Sequence, residues 1–494
     1  MTGVDGVSLF AADGSLTAGA CGSRMPYEQK IVYVTPTGAG TKDGSSWEDA
    51  CASIQAGVDA ATDTTDFCGL RDRVMVAAGR YKTGSRLSGK PGTDEPVLQA
   101  RLVCEKEVEI VSDAGADETF IVGAADTTSG QADRNGNGPD AVRCVYMSTG
   151  LLKGFTLVDG HSALQTTATP TVNDEGGGYY GGGTVEDCVV SNCWAVRAGA
   201  AHGGTWRNCR FSRCGATQTA SYFRYPTLLE QCYFGTYSAG APAVAGATEI
   251  DGCTFDCGYM SNADVLSGCL QVARTLFRTG RVNADKGAVM DDCAFSSEVT
   301  FLVGDGKTLT TNGCLVGELQ LDAQGVPVRG ACVAIDALAL DAYDWATDLA
   351  GHSRVSNAAA DIGCFEYDWR GDYAKAVYPR RFDVDAASSE AKLTEDGVLV
   401  PAGEFEGHWA WKSDGSRATM HYSVTGTGTL YVYLGDALVN TATAASGAQT
   451  TDLAGDAGGC SAVKFVYEPG ANDVGGALIA RADYQGGGTM ILLR

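Results

Sequence analysis

One local pattern recurs seven times in the middle of this chain and constrains its fold more than any other feature. Six cysteines share it: Cys188, Cys209, Cys232, Cys253, Cys293 and Cys314. Two residues after each stands Val190, Phe211, Phe234, Phe255, Phe295 or Val316, and a seventh copy carries Thr275 followed by Phe277. Successive steps are 21, 23, 21, 22, 18 and 21 residues. A period of about 20 residues marks a solenoid with one coil per repeat.

Residues two apart on a strand point to the same side. Cysteine and aromatic therefore face inward, while Val189, Arg210, Tyr233, Thr254 and Ala294 between them face out. Stacked strands lie ~4.8 Å apart, so the cysteines form one interior column and the aromatics another. Each coil buries its apolar side only against the coils above and below. Coils this short leave no room for a helix in every repeat, which predicts a parallel β-helix rather than a leucine-rich or helical array. Asp187, Asn208, Gln231, Gly252 and Asp292 precede the ladder position, and such turn-forming residues suit a corner there. The regular cysteines read as small buried thiols acting as hydrophobes. Pairing of Cys188 with Cys193, or Cys209 with Cys214, across a corner is the alternative. Zinc fits poorly, because CxxC pairs are absent.

The flanks give the rest of the plan. Residues 1–29 form a mixed N-terminal extension. Ile31–Val34 reads as a first strand. Ser45 and Glu48 form a capping box, opening a helix that carries Trp47, Ala50, Ile54 and Val58 and ends near Ala61. One such helix is a natural lid over the open edges of the first coil. Residues 162–183 are a polar, Gly-rich excursion. Ala334–Tyr367 winds the solenoid down, so that it spans 30–372, with a linker at 373–381. From 382 to 494 short alternating runs appear: Ala418–Val424, Thr429–Leu434, Val463–Tyr467 and Thr489–Leu493. These predict a β-sandwich. The expected class is all-β: a right-handed parallel β-helix with an N-terminal capping helix, followed by a C-terminal β-sandwich.

The formal net charge is −24, which argues against nucleic acid as the main partner. No run of 18 apolar residues is present, so no membrane span is expected. Met1–Asp5 lacks a basic region followed by an apolar core, so it does not read as a signal peptide. Either the chain is a trimmed mature form or it acts where it is made.

Three segments carry a resemblance to secreted bacterial right-handed β-helix proteins. Tyr33-Val34-Thr35-Pro36 through Asp43-Gly44-Ser45-Ser46-Trp47, then Ala50, Ile54, Gln55, Ala56, Ala60 and Ala61, resembles the opening of pectate-lyase-like β-helices. Gly182-Gly183-Thr184 with Asp187-Cys188, and its copy at 203–209, resembles coils of polymorphic outer-membrane proteins. Ala334-Ile335-Asp336, Thr347–Gly351, Arg354 and Asp361–Tyr367 is similar to the closing segment called choice-of-anchor Q, which more often has Ala where Cys364 stands. The resemblance covers roughly residues 31–367. It implies an extracellular or cell-surface location, in a family that holds polysaccharide-cleaving enzymes beside surface proteins of unknown role.

The strongest functional signal is a charge reversal. From Val189 to Leu229 there is no Asp or Glu, yet Arg197, Arg207, Arg210, Arg213 and Arg224 lie there. Arg274, Arg278, Arg281 and Lys286 extend the zone. Guanidinium forks suit carboxylate or sulfate, and Trp194, Trp206, Tyr222 and Tyr225 are placed to stack on sugars. The expectation is a groove for an acidic glycan. The alternative is a set of surface arginines paired with Glu186, Glu230 or Asp251 on adjacent coils. For a uronic-acid lyase, an Arg or Lys of this zone is a candidate base, with His202 or Tyr222 nearby in sequence. Asp291-Asp292 is similar to the acid pair of β-helix pectin hydrolases, but the companion Arg-x-Lys and Gly-His-Gly signatures are absent, and it reads as a turn. Asp133, Asn135, Asn137 and Asp140 resemble the start of a calcium loop, although Cys144 stands where its last glutamate belongs. No other cofactor is expected. His408-Trp409-Ala410-Trp411 is either a sugar platform or sandwich core.

The leading expectation is a non-catalytic extracellular or cell-surface protein with a structural, adhesive or glycan-binding role. The rivals are a polysaccharide lyase or glycoside hydrolase acting on an acidic glycan, and a self-assembling filament or surface-layer subunit that docks through residues 1–29 or the sandwich.

Overall fold

The computed structural model describes residues 29–63, 71–88, 98–164, 173–219, 222–235, 242–257, 264–339, 342–354, 359–367, 382–388, 391–394, 397–409, 417–454 and 461–485. The chain forms two compact units, Met1–Gly325 and Val326–Arg494. Residues 1–28 of the N-terminal extension, the linker at 373–381, the run Thr489–Leu493 and the side chains of His408 to Trp411 lie outside the described residues.

The first unit is a parallel β-helix with three long sheets of 11, 10 and 10 strands. Each regular coil visits the three in turn. Ala201–His202 lies in the third sheet, Thr205–Arg207 in the first and Arg210–Ser212 in the second. Register is kept from coil to coil. Phe211 pairs with Phe234, Phe234 with Phe255, Phe255 with Phe277, and Phe277 with Phe295. Their rings stack nearly parallel at 5.0, 4.5, 5.0 and 5.3 Å between centroids, an unbroken aromatic rod inside the solenoid.

The corner before each ladder residue explains the cysteines. Asp187, Asn208, Gln231, Gly252, Arg274, Asp292 and Gly313 all adopt φ between 45° and 63°. This left-handed bend takes the chain from the first sheet to the second. The amide that follows it points at the next coil, where a side chain accepts its hydrogen bond. Cys188 N donates to Cys209 Sγ at 3.4 Å, Cys232 N to Cys253 Sγ at 3.4 Å, and Cys253 N to Thr275 Oγ1 at 3.3 Å. Each thiol in turn donates to a carbonyl, as Cys209 Sγ does to Arg207 O at 3.1 Å. The thiols thus pair buried amides as well as filling space. All are free thiols among the described cysteines, and burial pushes Cys209 and Cys293 well above the ordinary range.

Thr275 keeps the same bonding without sulfur, since its hydroxyl donates to Ala273 O at 2.7 Å. Thr275→Cys is therefore expected to leave stability unchanged. Thr275→Val strands the amide of Cys253 and is expected to cost about 1–3 kcal/mol in urea unfolding. Equal stability of the two variants would refute this role.

Glycine is required at the opposite corner, where Gly203 sits at φ +73° and an added Cβ would lie 2.3 Å from Gly181 O. At the N-terminal end one helix, Ile54–Ala60, covers the first coil with Ile54, Gly57 and Val58 buried. Its cap is Ser53, whose side chain accepts from Ala56 N, not Ser45. The segment 44–51 is held instead as a partner of the first strand. Tyr33 N donates to Gly44 O, and Cys51 N to Tyr33 O. Those backbone groups are unavailable to a helix, so it begins later than the capping-box pattern predicts.

The second unit contains a sandwich of two five-stranded antiparallel sheets. One holds Gly403–Trp409, Ser461–Glu468 and Thr429–Leu434; the other holds Gly397–Val400, Ala477–Gln485 and Arg417–Val424. Val398, Phe405, Met420, Leu430, Val432, Phe465 and Ile479 fill the space between them at 0% exposure. Among the described residues no helix is long and apolar enough to cross a membrane.

Candidate functional site

The third sheet of the solenoid carries a row of chemically active side chains in register. Tyr146 pairs with Tyr180, Tyr180 with His202, and His202 with Arg224. Their strand neighbours Val145, Tyr179, Ala201 and Phe223 are buried, so alternation turns these four outward. Tyr146 and Tyr180 stack at 5.9 Å, Tyr180 and His202 at 4.7 Å. Tyr225 meets the imidazole edge-on at 5.9 Å and lies beneath the Arg224 guanidinium, 4.8 Å from its ring centre. Both faces of Tyr180 are covered, so the row offers ring edges outward, one hydrogen-bonding side chain per coil.

Glu175 closes the row from one side. Its carboxylate is 5% exposed, reaches His202 Nδ1 at 2.7 Å and pairs with Arg224 Nη1. The imidazole contact is short but not aligned as a hydrogen bond. Burial opposes ionisation of Glu175, yet His202 and Arg224 outweigh it and hold its carboxyl below the ordinary range. The backbone that presents Glu175 is pinned from beneath. Arg143 donates to Gly176 O at 2.7 Å and Glu175 O at 2.6 Å, and Arg197 donates to the buried Asp174 carboxylate at 2.7 Å. Burial lowers Arg143 to about 10. The result is a fixed carboxylate–imidazole–guanidinium set beside two phenols, able to orient hydroxyls, bind an anion or exchange a proton.

The arginines singled out from the sequence do not converge. Arg224 is in the row on the third sheet. Arg197 is buried in a short fourth sheet, Arg207 lies on the first sheet, Arg210 on the second, and Arg213 at an exposed corner with φ 55°. Most are neutralised by acids one coil away. Arg207 Nε reaches Glu230 at 2.5 Å, and Arg207 Nη1 lies 3.9 Å from Glu186. Arg274 pairs with Asp251, Arg278 with Asp256 and Arg281 with Asp264. A stretch without acids in sequence is thus flanked in space by acids from other coils, 23 positions away for Arg197 and Arg207 and 49 for Arg224.

Of the aromatics, Trp206 and Tyr222 are core residues at 0% exposure, with Trp206 Nε1 bonded to Gly203 O and the Tyr222 hydroxyl to Gly235 O. Their rings face the solenoid interior, not a ligand. Trp194 is half-buried over Gly215, and Tyr225 is exposed. Asp291 accepts from Asn312 Nδ2, while Asp292 forms the left-handed corner. In the loop at 133–140, Asp133 Oδ1 accepts from Asn135 N and Asn137 N, its Oδ2 accepts from Asn137 Nδ2, and Asp140 accepts from Thr128. These oxygens hold the loop itself, and no group of three or more His, Cys, Asp or Glu side chains placed to hold a metal occurs among the described residues.

Tyr146, Tyr180 and Glu175 escaped the sequence reading. The 22-residue steps from Tyr180 to His202 and on to Arg224 are the available signal. Glu175 sits in the non-repeating excursion and has none.

The sheet topology defines a parallel β-helix protein with an appended sandwich. No family model matches the chain, and no curated protein matches it in sequence. Among solved structures, a pectin methylesterase from Yersinia enterocolitica is similar over 56% of this chain and 85% of its own, at 10% identity and TM-score 0.24. The enzymatically active domain of bacteriophage CBA120 tailspike protein 4 is similar over 87% and 66%, at 11% identity and TM-score 0.17. The secreted serine protease VesC from Vibrio cholerae is similar over 23% of this chain and 26% of its own, at 20% identity and TM-score 0.18. This chain therefore spans about a quarter of the Vibrio protein. At TM-scores this low the likenesses carry no argument about activity.

Proposed function

We propose that the chain is a non-catalytic glycan-binding β-helix protein of the cell exterior or cell surface, and that a polysaccharide lies along the third sheet. The observation that supports this most is the in-register row Tyr146, Tyr180, His202 and Arg224. A linear polymer running along the solenoid meets one of these side chains every ~4.8 Å. The phenols suit hydroxyls, and Arg224 suits a carboxylate or sulfate at the end of the row. The likeness of Ala334–Tyr367 to choice-of-anchor Q segments supports the surface location.

The test is calorimetry against polygalacturonate, alginate, hyaluronate and a neutral glucan. Binding to at least one acidic polymer is expected, weakened about tenfold (about 1.4 kcal/mol) by His202→Ala or Tyr180→Ala. Failure of every polymer to bind, or unchanged affinity in both variants, would sink the proposal.

The Glu175–His202 contact favours a second reading, eliminative cleavage of the same polymer. That reaction needs a base for the C5 proton and a cation for the carboxylate, and His202 and Arg224 are groups of those types. Growth of absorbance at the unsaturated-product band, lost in His202→Ala, would replace the first reading with this one.

A further inference from the structure

One side chain of the row on the third sheet can change its charge near neutral pH, and the groups around it fix the sign of the effect. His202 is held between Glu175, whose carboxylate lies 2.7 Å from Nδ1, and Tyr180, which stacks on its face at 4.7 Å. Tyr225 meets the ring edge-on, and Arg224 is the register partner on the next coil. Nδ1 is buried, so the 19% of the side chain left exposed lies on the rest of the ring.

The other charges near the imidazole come from the neighbouring strands and the segment beside them. Glu175 pairs with Arg224 as well as meeting His202. Beneath them Arg143 is fully buried, donating to the carbonyls of Glu175 and Gly176, with its guanidinium 5.1 Å from the centre of the Tyr180 ring. Asp174 and Arg197 pair with each other and cancel. Phenols such as those of Tyr146, Tyr180 and Tyr225 carry no charge below about pH 9. Guanidinium and carboxylate groups keep one charge between about pH 5 and 8, whereas an ordinary imidazole changes its own there. With a neutral ring, the two arginines and Glu175 leave one positive charge; with an imidazolium they leave two.

Protonation also changes what the ring can bond. A neutral imidazole keeps one nitrogen as an acceptor, which meets the lone pairs of an acidic ligand. The charged ring makes both nitrogens donors, Nδ1 toward Glu175 and Nε2 toward an acidic oxygen of a ligand.

We propose that the row captures an acidic polysaccharide by taking up a proton at His202, so that affinity rises as pH falls through the range in which an imidazole charges. This rests on the glycan-binding reading above and adds the regulation of the same site. Glu175 supports the charged state, because His202 and Arg224 hold its carboxyl below the ordinary range and keep it ionised beside the ring. Linkage makes the effect reciprocal: a proton that tightens the polymer is itself taken up when the polymer binds. A neutral polymer gains nothing from the added charge and binds equally at either pH.

The experiment is calorimetry on the full chain with polygalacturonate, alginate, hyaluronate, dextran sulfate and a neutral glucan, at about pH 5.5 and about pH 8. Dextran sulfate keeps its charge throughout, so any change in its binding comes from the protein. Acidic polymers are expected to bind about tenfold more tightly at the lower pH. Near neutral pH the binding enthalpy is expected to vary with the buffer, as proton uptake requires. Both effects should vanish in His202→Gln, which keeps a hydrogen-bonding side chain but cannot charge. Imidazole NMR of the free protein, with His202 assigned by its loss in that variant, should show the ring titrating between about pH 5 and 8. A ring that does not titrate there, equal affinity for the acidic polymers at both pH values, or a pH dependence that survives in His202→Gln would overturn the proposal while leaving the glycan row standing. Failure of every polymer to bind at either pH would remove both.

Discussion

Trp206→Ala is expected to lower the stability of the solenoid by about 3–5 kcal/mol, the largest effect of any single core truncation in the repeat. Trp206 is the largest fully buried side chain described. It meets Tyr179 at 5.1 Å, Phe211 at 5.4 Å and Phe223 at 5.1 Å, all edge-on, and so joins residues from three coils. Its indole N–H is also bonded, to Gly203 O at 3.0 Å. Truncation leaves a cavity that rigid flanking strands cannot close, and it releases the bonded corner. Because coils contact only their neighbours, hydrogen exchange should quicken first at 179–186, 201–211 and 223–230. A fall in urea midpoint worth less than about 1 kcal/mol would mean the ring is not packed as described.

Asp174→Ala ranks second, at about 3–5 kcal/mol, for a different reason. Asp174 is 0% and Arg197 8% exposed, with Nη1 and Oδ2 2.7 Å apart. Removing the carboxylate leaves a guanidinium buried in a place built for an ion pair. Removing both charges together, as Asp174→Leu with Arg197→Met, should recover most of the loss, because the desolvation penalty disappears with the pair. Similar stability of the single and the double variant would show that the loss comes from packing and not from stranded charge. Asp174 also adjoins Glu175, so the single variant is expected to loosen the His202 contact as well.

The repeat region was legible because every inward position announces itself. Phe211, Phe234, Phe255, Phe277 and Phe295 lie one coil apart in the sequence and one strand apart in the sheet. Thr429–Leu434 was legible for the same reason, since a sandwich strand with one buried face alternates. The helix start was not. Ser45 and Ser53 both precede suitable residues, and only pairing of Gly44 and Cys51 with the first strand decides between them.

The candidate site was harder to read than the fold. A run of arginines in one segment looks like a basic patch, but consecutive residues of a coil go to three different sheets. Arg207, Arg210 and Arg224 are sequence neighbours that face different directions. The acids that balance them, Glu230 for Arg207 and Glu175 for Arg224, belong to other coils. Glu175 had no periodic signal at all, because its place is set by tertiary bonds from Arg143 and Arg197 to the backbone around it.

The left-handed corners with their amide-to-thiol bonds bear on how such a rod changes length. Each bond joins equivalent positions of adjacent turns, so a whole turn inserted or deleted recreates the same link at the new junction. A gain or loss of only a few residues would instead leave an amide facing the wrong atom. The architecture is therefore quantised: over generations it can be extended or shortened turn by turn, while fractional changes are confined to the loops between strands.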